Sequence, residues 1–394
     1  MVTHLPNDPG TRVRDLAAAI EARLIEIRRD IHAHPELAFE EVRTAGIVAA
    51  ELTRLGIAHR TGVGRTGVVG VIEGGMPGPT LAIRADMDAL PMPEETGLAF
   101  ASTVPGKMHA CGHDIHTTTL LGVAEVLQRL APQLAGKVVL IFQPAEEALG
   151  GARAMIADGA AEGVDLAIGF HNAPDMPVGR FGYCRGPTLA AADRFDLVIK
   201  GKGGHAAHPY AAIDPIVAGA AFVSQAQTVV SREIRPLQPA VVTIGMFHGG
   251  TAPNIIPETV ELKGTVRTLH TEARDVAEAA LKRLATGLEA MHRVTCTLDY
   301  RRGVPPLVND DRVLDPTVAA VRAQFGEVID QGVPSMGAED FAEFAELMPS
   351  FQLRVGAGAP GRDDRLHNTH YQPDERCIGL GVQALARAAL EILS

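Results

Sequence analysis

The sequence predicts an α/β fold made of two domains, one inserted into the other. Helical patterns alternate with apolar, strand-like runs at both ends of the chain, which is typical of a mostly parallel sheet flanked by helices. In the middle, the order of predicted elements changes to β-α-β-β-α-β, the signature of a ferredoxin-like α+β domain. We therefore expect residues 1–188 and 304–394 to form a discontinuous α/β domain, and residues 189–303 to form the inserted domain.

The elements of the first domain follow from the spacing of its apolar residues. That spacing predicts an amphipathic helix over about residues 12–33, a second over about 40–55 and a third over about 116–131. The runs "TGVVGVIE" and "TLAIRAD" predict strands around the turn "GGMPGP". The apolar runs "KVVLIF" and "DLAIGF" predict buried strands of the same sheet.

The inserted domain is expected from four strand-like runs and two helical patterns. The strands are "RFDLVIKG", "AVVTIGMFHG", "ETVELKGTVRTL" and "RVTCTLDY", and the helices cover about residues 214–231 and 271–290. Beyond this domain the α/β pattern returns, with helices near residues 310–325 and 338–347, the strand "FQLRVGAG" and a closing helix from about residue 374.

Composition and charge exclude several classes of protein. The net charge of −11 disfavours binding to nucleic acid. No apolar run reaches the roughly 18 residues of a membrane span, and the first residues lack the pattern of a signal peptide. The four cysteines, Cys111, Cys184, Cys296 and Cys377, include no C-x-x-C pair. We therefore expect free thiols in a cytoplasmic protein rather than a disulfide scaffold.

Residues that can ligate a metal follow three of the predicted strands. They are Asp86 and Asp88, Glu146 and Glu147, and His171, and the segment from Cys111 to His113 lies between the first two pairs. A single histidine after a strand is more often structural, and a Glu-Glu pair often opens an exposed helix. Three such strand ends together favour one site, because the carboxyl ends of parallel strands meet at one edge of a sheet. Cys, His, Glu and Asp suit a divalent metal.

Two side-chain types in this cluster allow more than one role. Of the adjacent glutamates, one carboxylate can bind metal while the other takes a proton from water. Cys111 can be a metal ligand, or it can be a thiolate nucleophile with His113 or His171 as its base.

Eight motifs between residues 30 and 371 resemble a known family. In order they are "DIHAHPELAFEE", "RADMDALP", "MHACGHDIHT", "FQPAEE", "GKGGHAAHP", "APNIIP", "SMGAEDF" and "LHNTHY". The chain resembles the M20 metallopeptidase family in its amidohydrolase branch, which includes hippurate hydrolases, other N-acyl-amino-acid amidohydrolases and plant auxin-conjugate hydrolases. The resemblance implies a metal-dependent amidohydrolase with two divalent ions per subunit, and Zn, Mn, Co and Ni all suit the ligands.

The resemblance also implies roles for individual residues of the first domain. The ligands of the two ions fall on Cys111, His113, Glu147, His171 and His367. The Cys111 thiolate takes a bridging position that an aspartate holds in other branches. Glu146 corresponds to the general base, and Asp88 to a residue that serves catalysis by orienting a ligand. The first domain is then the catalytic, metal-binding domain.

In the inserted domain, the resemblance assigns substrate contacts to three residues. His205 polarises the scissile carbonyl, while Asn254 and Arg267 bind the substrate, with Arg267 suited to a carboxylate. The inserted domain is expected to act as a lid and dimer interface, so that His205 reaches the active site of a partner subunit. The expected partners are thus a small N-acyl amino acid and a second copy of the chain, without nucleic acid or membrane.

Other polar residues of the motifs are left without a firm assignment. Asp86 and His208 stand at positions whose roles the resemblance leaves open, and Glu339 and Asp340 are expected near the site. Four further histidines are expected to have structural or supporting roles, namely His32, His34, His109 and His116.

Two other functions remain open from the sequence. One is a dipeptidase or other exopeptidase with the same fold and metals, and the other is an inactive binding or scaffolding protein. The acyl group is not specified either, because aromatic residues make up only 4% of the chain and an aromatic-lined pocket is not indicated.

Overall fold

The structure is a computed structural model that describes residues 8–363 and 365–394. The first seven residues, for which the sequence predicts no signal peptide, lie outside the described residues. Nine α-helices occur in the described part of the chain: α1 (Pro9–Ala33), α2 (Val42–Arg54), α3 (His113–Leu130), α4 (Gly151–Ala157), α5 (Pro215–Thr228), α6 (Thr271–His292), α7 (Asp311–Phe325), α8 (Ala342–Ala345) and α9 (Arg376–Ile392). Among these helices of the described residues, none has both the length and the apolarity that a membrane span requires.

The same residues contain sixteen strands, most of them in two larger sheets. In chain order they are β1 (Ala58–Val63), β2 (Gly67–Glu73), β3 (Met76–Asp86), β4 (Ala135–Gln143), β5 (Leu166–Pro177), β6 (Phe181–Tyr183), β7 (Gly186–Leu189), β8 (Ala191–Lys200), β9 (Gly204–His205), β10 (Ala240–Gly249), β11 (Ile255–Ile256), β12 (Thr259–Thr268), β13 (Thr295–Arg301), β14 (Leu307–Asn309), β15 (Ile329–Asp330) and β16 (Ser350–Gly358).

The chain divides into two compact units. The first consists of Met1–Gly186, Val308–Val333 and Asp340–Ser394, and the second of Pro187–Leu307 and Pro334–Glu339.

The first unit is built around one eight-stranded sheet. Its strand order is β1-β2-β4-β3-β5-β16-β6-β15. The four central strands, β4, β3, β5 and β16, run parallel, and antiparallel pairs occur toward the edges. Because β15 comes from the second segment of this discontinuous unit and β16 from the third, all three segments share one sheet. The predicted α/β fold with a mostly parallel sheet and flanking helices is confirmed.

Helix α3 lies at the centre of the helical packing in this unit. It packs against α1 and α9, and α9 also packs against α7. All fifteen of its residues from His113 to Leu127 are buried, as expected of a helix that meets neighbours on every side. Each apolar side chain buried there stabilises the fold by about 1.5–3 kcal/mol. The start of α3 is therefore held in place by packing against its neighbours.

Three elements differ from the prediction in ways that the structure explains. Helix α3 begins at His113, three residues earlier than expected, because Gly112 adopts a left-handed conformation with φ of +85° and turns the chain into the helix. The predicted helix near residues 338–347 is a single turn, α8, and Pro349 follows it closely. Part of the predicted turn "GGMPGP" belongs to β3, where Gly78 lies against the Ala135 backbone too closely for a Cβ atom.

The second unit contains β8, α5, β10, β12, α6 and β13 in a β-α-β-β-α-β order. Its sheet has the strand order β10-β12-β8-β13, and every neighbouring pair is antiparallel. Alternate residues of β8, such as Phe195 and Leu197, are buried with apolar residues of α5 and α6. Residues that alternate with these, such as Arg194, point to the opposite face of the sheet.

Candidate metal centre

The sheet register brings several of the predicted site residues to one edge. Asp86, the last residue of β3, pairs with Gln143, the last residue of β4. Strand β5 lies on the other side of β3 and carries His171. Asp88 follows β3 by two residues and Glu146 follows β4 by three. The parallel strands therefore converge at their carboxyl ends, where ligands bind in such sheets.

Cys111 belongs to two groups of potential metal ligands. Its Sγ atom lies within 4.8 Å of ligand atoms of His113 and His171, and also within 4.8 Å of ligand atoms of Glu147 and His367. The distance from Cys111 Sγ to His171 Nε2 is 3.5 Å, and that from His367 Nε2 to Glu147 Oε1 is 3.2 Å. The structure thus places all five predicted ligands together in the first unit, with Cys111 common to both groups.

His113 and His171 each have one ring nitrogen held by a protein oxygen. His113 Nδ1 lies 3.2 Å from Asp88 Oδ1, and His171 Nδ1 lies 2.8 Å from the carbonyl oxygen of Asn172. The other ring nitrogen of His113, Nε2, is buried and makes no hydrogen bond to any described residue. Asp86 Oδ2 lies 3.7 Å from this nitrogen, beyond hydrogen-bond distance. A buried ring nitrogen that is oriented but makes no hydrogen bond fits a metal ligand.

The charges of this cluster also fit a cation. Hydrogen bonds to the Cys111 sulfur and the Glu147 carboxylate raise the pKa of His367 to about 10. Burial, together with the charge of His116, lowers the pKa of His171 well below its usual value. The site therefore stabilises positive charge between sulfur and carboxylate, and it keeps one imidazole neutral. Thiolate, imidazole and carboxylate are the donor set that a Zn- or Mn-like divalent ion takes.

Asp88 fixes the residues around it through both carboxylate oxygens. Oδ1 accepts the backbone N–H of Glu146 and Oδ2 that of Glu147, each at 3.0 Å. Since Oδ1 also contacts the His113 ring, one carboxylate orients an imidazole and both glutamates. Glu146 itself is buried, and its carboxylate lies within 4.8 Å of ligand atoms of His113 and Glu147.

Asp86 lies in a buried hydrogen-bond network beside the ligands. It accepts from Arg84 Nη1 at 2.7 Å and from His116 Nδ1 at 2.5 Å. His116 Nε2 in turn accepts the backbone N–H of Asn172 at 2.9 Å. Asp86, His113 and His116 lie close enough together to hold an ion, but both ring nitrogens of His116 are occupied. The geometry therefore favours Asp86 and His116 as residues that support the ligands rather than as ligands themselves.

Glu41 is a residue of the site that the sequence reasoning missed. It is fully buried, and its Oε1 accepts the backbone N–H groups of Phe39 at 3.0 Å and Ala145 at 2.9 Å. Ala145 has a φ of +54°, which is unusual for a residue with a side chain. Three successive N–H groups, from residue 145 to residue 147, are thus held by two buried carboxylates. In the sequence, the adjacent acidic residues Glu40 and Glu41 of "LAFEE" are the one feature that could have indicated this role.

The remaining histidines of the first unit differ in their surroundings. His32 contacts Asp114 at 2.7 Å through Nδ1 and Glu94 at 3.2 Å through Nε2, so it anchors the first turn of α3. His34 is half-exposed on the surface. His109 is buried without a hydrogen-bond partner among the described residues, and burial lowers its pKa to about 3.

Along the chain, the second unit ends at Glu339 and the first unit resumes at Asp340. Asp340 accepts hydrogen bonds from Arg84 at 2.9 Å and Gln143 at 2.6 Å through Oδ1, and from the N–H of Ala152 at 3.0 Å through Oδ2. It therefore connects β3, β4 and α4 beneath the site. Glu339 is buried and belongs to the second unit.

The second unit separates its three predicted substrate residues into two places. His205 pairs with Ile255, and the N–H of Ala206 donates to the Asn254 carbonyl at 3.1 Å, so His205 and Asn254 line one pocket. Arg267 lies near the opposite end of β12, where it is half-buried and forms no ion pair with any described residue.

The separation follows from the register of β12. Thr259 pairs with Lys200 next to the His205 segment, whereas Arg267 pairs with Ala192. At about 3.3 Å per residue, the eight steps from residue 259 to residue 267 span roughly 26 Å. The structure therefore brings His205 and Asn254 together but keeps both far from Arg267. His208 is exposed, with its ring 5.2 Å from that of His205.

Several known proteins are similar to this chain along most of its length. Residues 82–391 match the sequence profile of peptidase family M20/M25/M40. The chain is 41% identical over 377 residues to N-acetylcysteine deacetylase of Bacillus subtilis, covering 95% of this chain and 98% of that protein. It is 39% identical over 383 residues to thermostable carboxypeptidase 1 of Saccharolobus solfataricus, covering 95% of each. A solved structure of a dinuclear metal-binding peptidase of the M20 family from Bacillus subtilis has a TM-score of 0.85 at 38% identity, covering 95% of this chain and 99% of that chain.

Proposed function

The chain belongs to peptidase family M20/M25/M40 and is a hydrolase, and on this premise we propose that it cleaves the amide bond of N-acyl amino acids. The products are a carboxylic acid and a free amino acid. The observation that carries the proposal is that Cys111 is common to two groups of ligands, with the Glu146 carboxylate beside them. A relative named as an N-acetylcysteine deacetylase supports the substrate class.

Two divalent ions fit the proposed site. Cys111, His113 and His171 would hold one, and Cys111, Glu147 and His367 the other, a number that agrees with the dinuclear description of the Bacillus subtilis structure. When bound, such ions make water more acidic and polarise a carbonyl oxygen. Zn, Mn, Co and Ni all accept these ligands.

Glu146 is the general base in this proposal. It is buried beside His113 and Glu147, and Asp88 holds its backbone N–H, which fixes the main chain at this residue. Glu146 takes the proton of the attacking water and delivers it to the leaving amine. Asp88 acts as a positioning residue, because its contacts are to Glu146, Glu147 and His113.

Arg267 binds the α-carboxylate of the amino acid in this proposal. It forms no ion pair with any described residue, and a guanidinium group can donate two parallel hydrogen bonds to one carboxylate. Such a contact fixes the orientation of the amide for attack.

His205 and Asn254 serve the active site of a second copy of the chain. The distance of roughly 26 Å along β12 far exceeds the distance between the α-carboxylate and the scissile carbonyl of an N-acyl amino acid, which are only a few bonds apart, so one copy cannot offer Arg267 and His205 to the same substrate through this unit. We therefore propose a homodimer in which Arg267 comes from one subunit and His205, which polarises the scissile carbonyl, from the other.

The decisive experiment is the substitution Glu146→Ala. We expect it to abolish hydrolysis of N-acetyl and N-benzoyl amino acids while the protein keeps nearly its full metal content, since the ligand groups stay intact. Glu147→Ala is the matched control and should lose metal. If Glu146→Ala loses the metal and Glu147→Ala keeps it, the two glutamates have exchanged roles.

A carboxypeptidase activity is a second candidate, because the chain is 39% identical to a thermostable carboxypeptidase. The same ligands and base would cleave a peptide bond, and Arg267 would then bind a C-terminal carboxylate. Comparing kcat/KM for N-acyl amino acids and for dipeptides with the same C-terminal residue separates the two. We expect the N-acyl amino acids to be preferred.

A further inference from the structure

We propose that Asn172 is a positioning residue that joins the three chain segments carrying Cys111, His171 and His367. The inference rests on the proposed metal centre. Asn172 follows His171 in β5 and is almost completely buried. Its contacts reach the segment before α3 and the loop that follows His367, two parts of the chain that are distant in sequence.

The side-chain amide of Asn172 provides the link between these two segments. Its Nδ2 donates to the carbonyl oxygen of Cys111 at 3.0 Å and to the hydroxyl oxygen of Tyr371 at 2.8 Å. An amide nitrogen has two hydrogens, and each has an acceptor here. Tyr371 is itself buried and lies four residues after His367. One nitrogen atom therefore fixes the distance between the Cys111 backbone and the His367 loop.

The backbone of Asn172 orients the third segment. Its carbonyl oxygen accepts from His171 Nδ1 at 2.8 Å, which fixes the ring that approaches Cys111. Its N–H donates to His116 Nε2 at 2.9 Å and continues the network to Asp86. These two bonds persist when the side chain is changed, so a substitution at residue 172 tests the amide alone.

Close packing leaves little room for another side chain. A Cβ atom on Gly112 would lie 2.2 Å from Asn172 Nδ2, which shows how closely the chain passes the amide. The backbone N–H of His367 donates to the Ala110 carbonyl at 2.8 Å, so the two segments also meet directly. Without the amide, the Cys111 carbonyl loses its contact with Asn172, and the His367–Ala110 bond is left to hold the Cys111 segment against the His367 loop less tightly.

The test is a titration of the apo-protein with Co²⁺ in competition with a chromophoric chelator. We expect Asn172→Ala to bind Co²⁺ about 10- to 100-fold more weakly than the unmodified protein, the usual effect of removing a group that orients ligands. The thiolate-to-cobalt absorption band should also weaken or shift, because the sulfur moves. A merely structural role would change thermal unfolding of the apo-protein and leave both metal readouts unchanged.

Asn309 provides a matched control. It is also a buried asparagine whose Nδ2 donates to a backbone carbonyl, that of Cys184, at 2.7 Å, and whose Oδ1 accepts the N–H of Gln352 at 3.0 Å. It contacts none of the five proposed ligands. Asn309→Ala should therefore lower stability without changing Co²⁺ affinity. Equal affinity for the unmodified protein and Asn172→Ala, or equal losses in both variants, would overturn the inference.

Tyr371→Phe tests the same link if Asn172→Ala does not fold. It removes one hydroxyl and keeps the ring, so the expected loss is about five-fold in affinity, the value of one ordinary hydrogen bond. The loss should fall on the ion shared by Glu147 and His367; an unchanged titration contradicts the proposal. Because no substrate is used, an inactive protein that binds Co²⁺ overturns the proposed function alone, whereas a protein that binds no Co²⁺ overturns both.

Discussion

At the residue scale, the surroundings of Cys111 favour a metal ligand over a nucleophile. The thiol is only 6% exposed. Ligand atoms of three histidines and one glutamate lie within 4.8 Å of it in two groups, His113 with His171 and Glu147 with His367. A thiolate nucleophile needs one base, and three imidazoles with a carboxylate exceed that need. Several donors around one sulfur are what a bridging ligand requires.

This interpretation predicts the behaviour of two substitutions. Cys111→Asp replaces one anionic bridging group with another, so it should keep metal and part of the turnover, while Cys111→Ala should lose both. Metal content by mass spectrometry and hydrolysis rates provide the measurement. Treatment with a chelator should inactivate the unmodified protein, and added divalent ions should restore it. A thiol nucleophile would instead survive the chelator and fail in Cys111→Asp.

A second prediction at this scale concerns Glu41. Glu41→Ala leaves the buried N–H of Ala145 without a partner, so the turn that precedes Glu146 loses its support. We expect kcat to fall by about 10- to 100-fold with the metal content unchanged, because small misplacements of a base have effects of that order. Glu41→Gln keeps one oxygen acceptor and should be milder. Loss of metal in Glu41→Ala, or turnover at the original rate, would contradict this role.

At the scale of elements, Glu125 joins the three helices α1, α2 and α3. It lies on α3 and is nearly buried, and its carboxylate contacts Arg23 of α1 and Arg54 of α2, each at 2.5 Å, and Arg129 of α3. Burial alone would raise the pKa of Glu125, but the guanidinium groups of Arg54 and Arg23 outweigh burial and lower it. The network therefore stabilises the packing of α3.

The lowered pKa of Glu125 predicts a pH-dependent contribution to stability. A carboxylate with a lowered pKa in the folded state stabilises fully above its unfolded pKa, which is about 4.3 for Glu, and loses that contribution as the pH falls through the folded value. Glu125→Gln should reduce the free energy of unfolding by about 1–2 kcal/mol at pH 7, since the arginines are partly exposed. The difference in the free energy of unfolding between Glu125→Gln and the unmodified protein should shrink as the pH falls below about 4.

Urea unfolding at pH 7 and at lower pH provides the measurement. The exposed pair of Glu73 with Lys137 offers a control, and Glu73→Gln should change stability by less than about 0.5 kcal/mol. A Glu125→Gln variant that is as stable as the unmodified protein at pH 7 would show that the network contributes nothing.

The elements also show what the sequence could predict of the site. Short, strongly apolar runs identified β3, β4 and β5, and the polar residues that follow them indicated where ligands converge. Gly112 was not identified as the residue that turns the chain into α3. The contact of Glu41 with Ala145 joins positions 104 residues apart, and no local pattern reports such a pair. Long-range hydrogen bonds of this kind had to come from the structure.

At the scale of the whole molecule, the second unit holds its three predicted substrate residues in two separate places. Motif order alone assigned His205, Asn254 and Arg267 to substrate binding, and it contains no distances. The register of β12 supplies the missing distance, because Arg267 and the His205 segment lie at opposite ends of that strand. In the proposed function, the separation of roughly 26 Å along β12 is the reason that a second copy is expected to supply His205.

Mixing two inactive variants tests this arrangement. Glu146→Ala keeps a working His205, and His205→Ala keeps a working Glu146. In a dimer containing one subunit of each, one active site combines both defects and the other has neither. We therefore expect a purified mixed dimer to recover about half of the original activity, and a randomly exchanged mixture about one quarter, because half of its dimers are mixed.

The outcome depends on which copy His205 serves. If it serves its own chain, every site of the mixed dimer carries one defect, and the mixture stays as inactive as its components. Co-expression of the two variants with different affinity tags isolates the mixed dimer and removes any dependence on subunit exchange. A double variant carrying both substitutions, paired with the unmodified chain, is the matched control. It should keep about half of the activity if His205 acts within its own chain, and nearly none if it acts across the dimer, since each site then carries one defect.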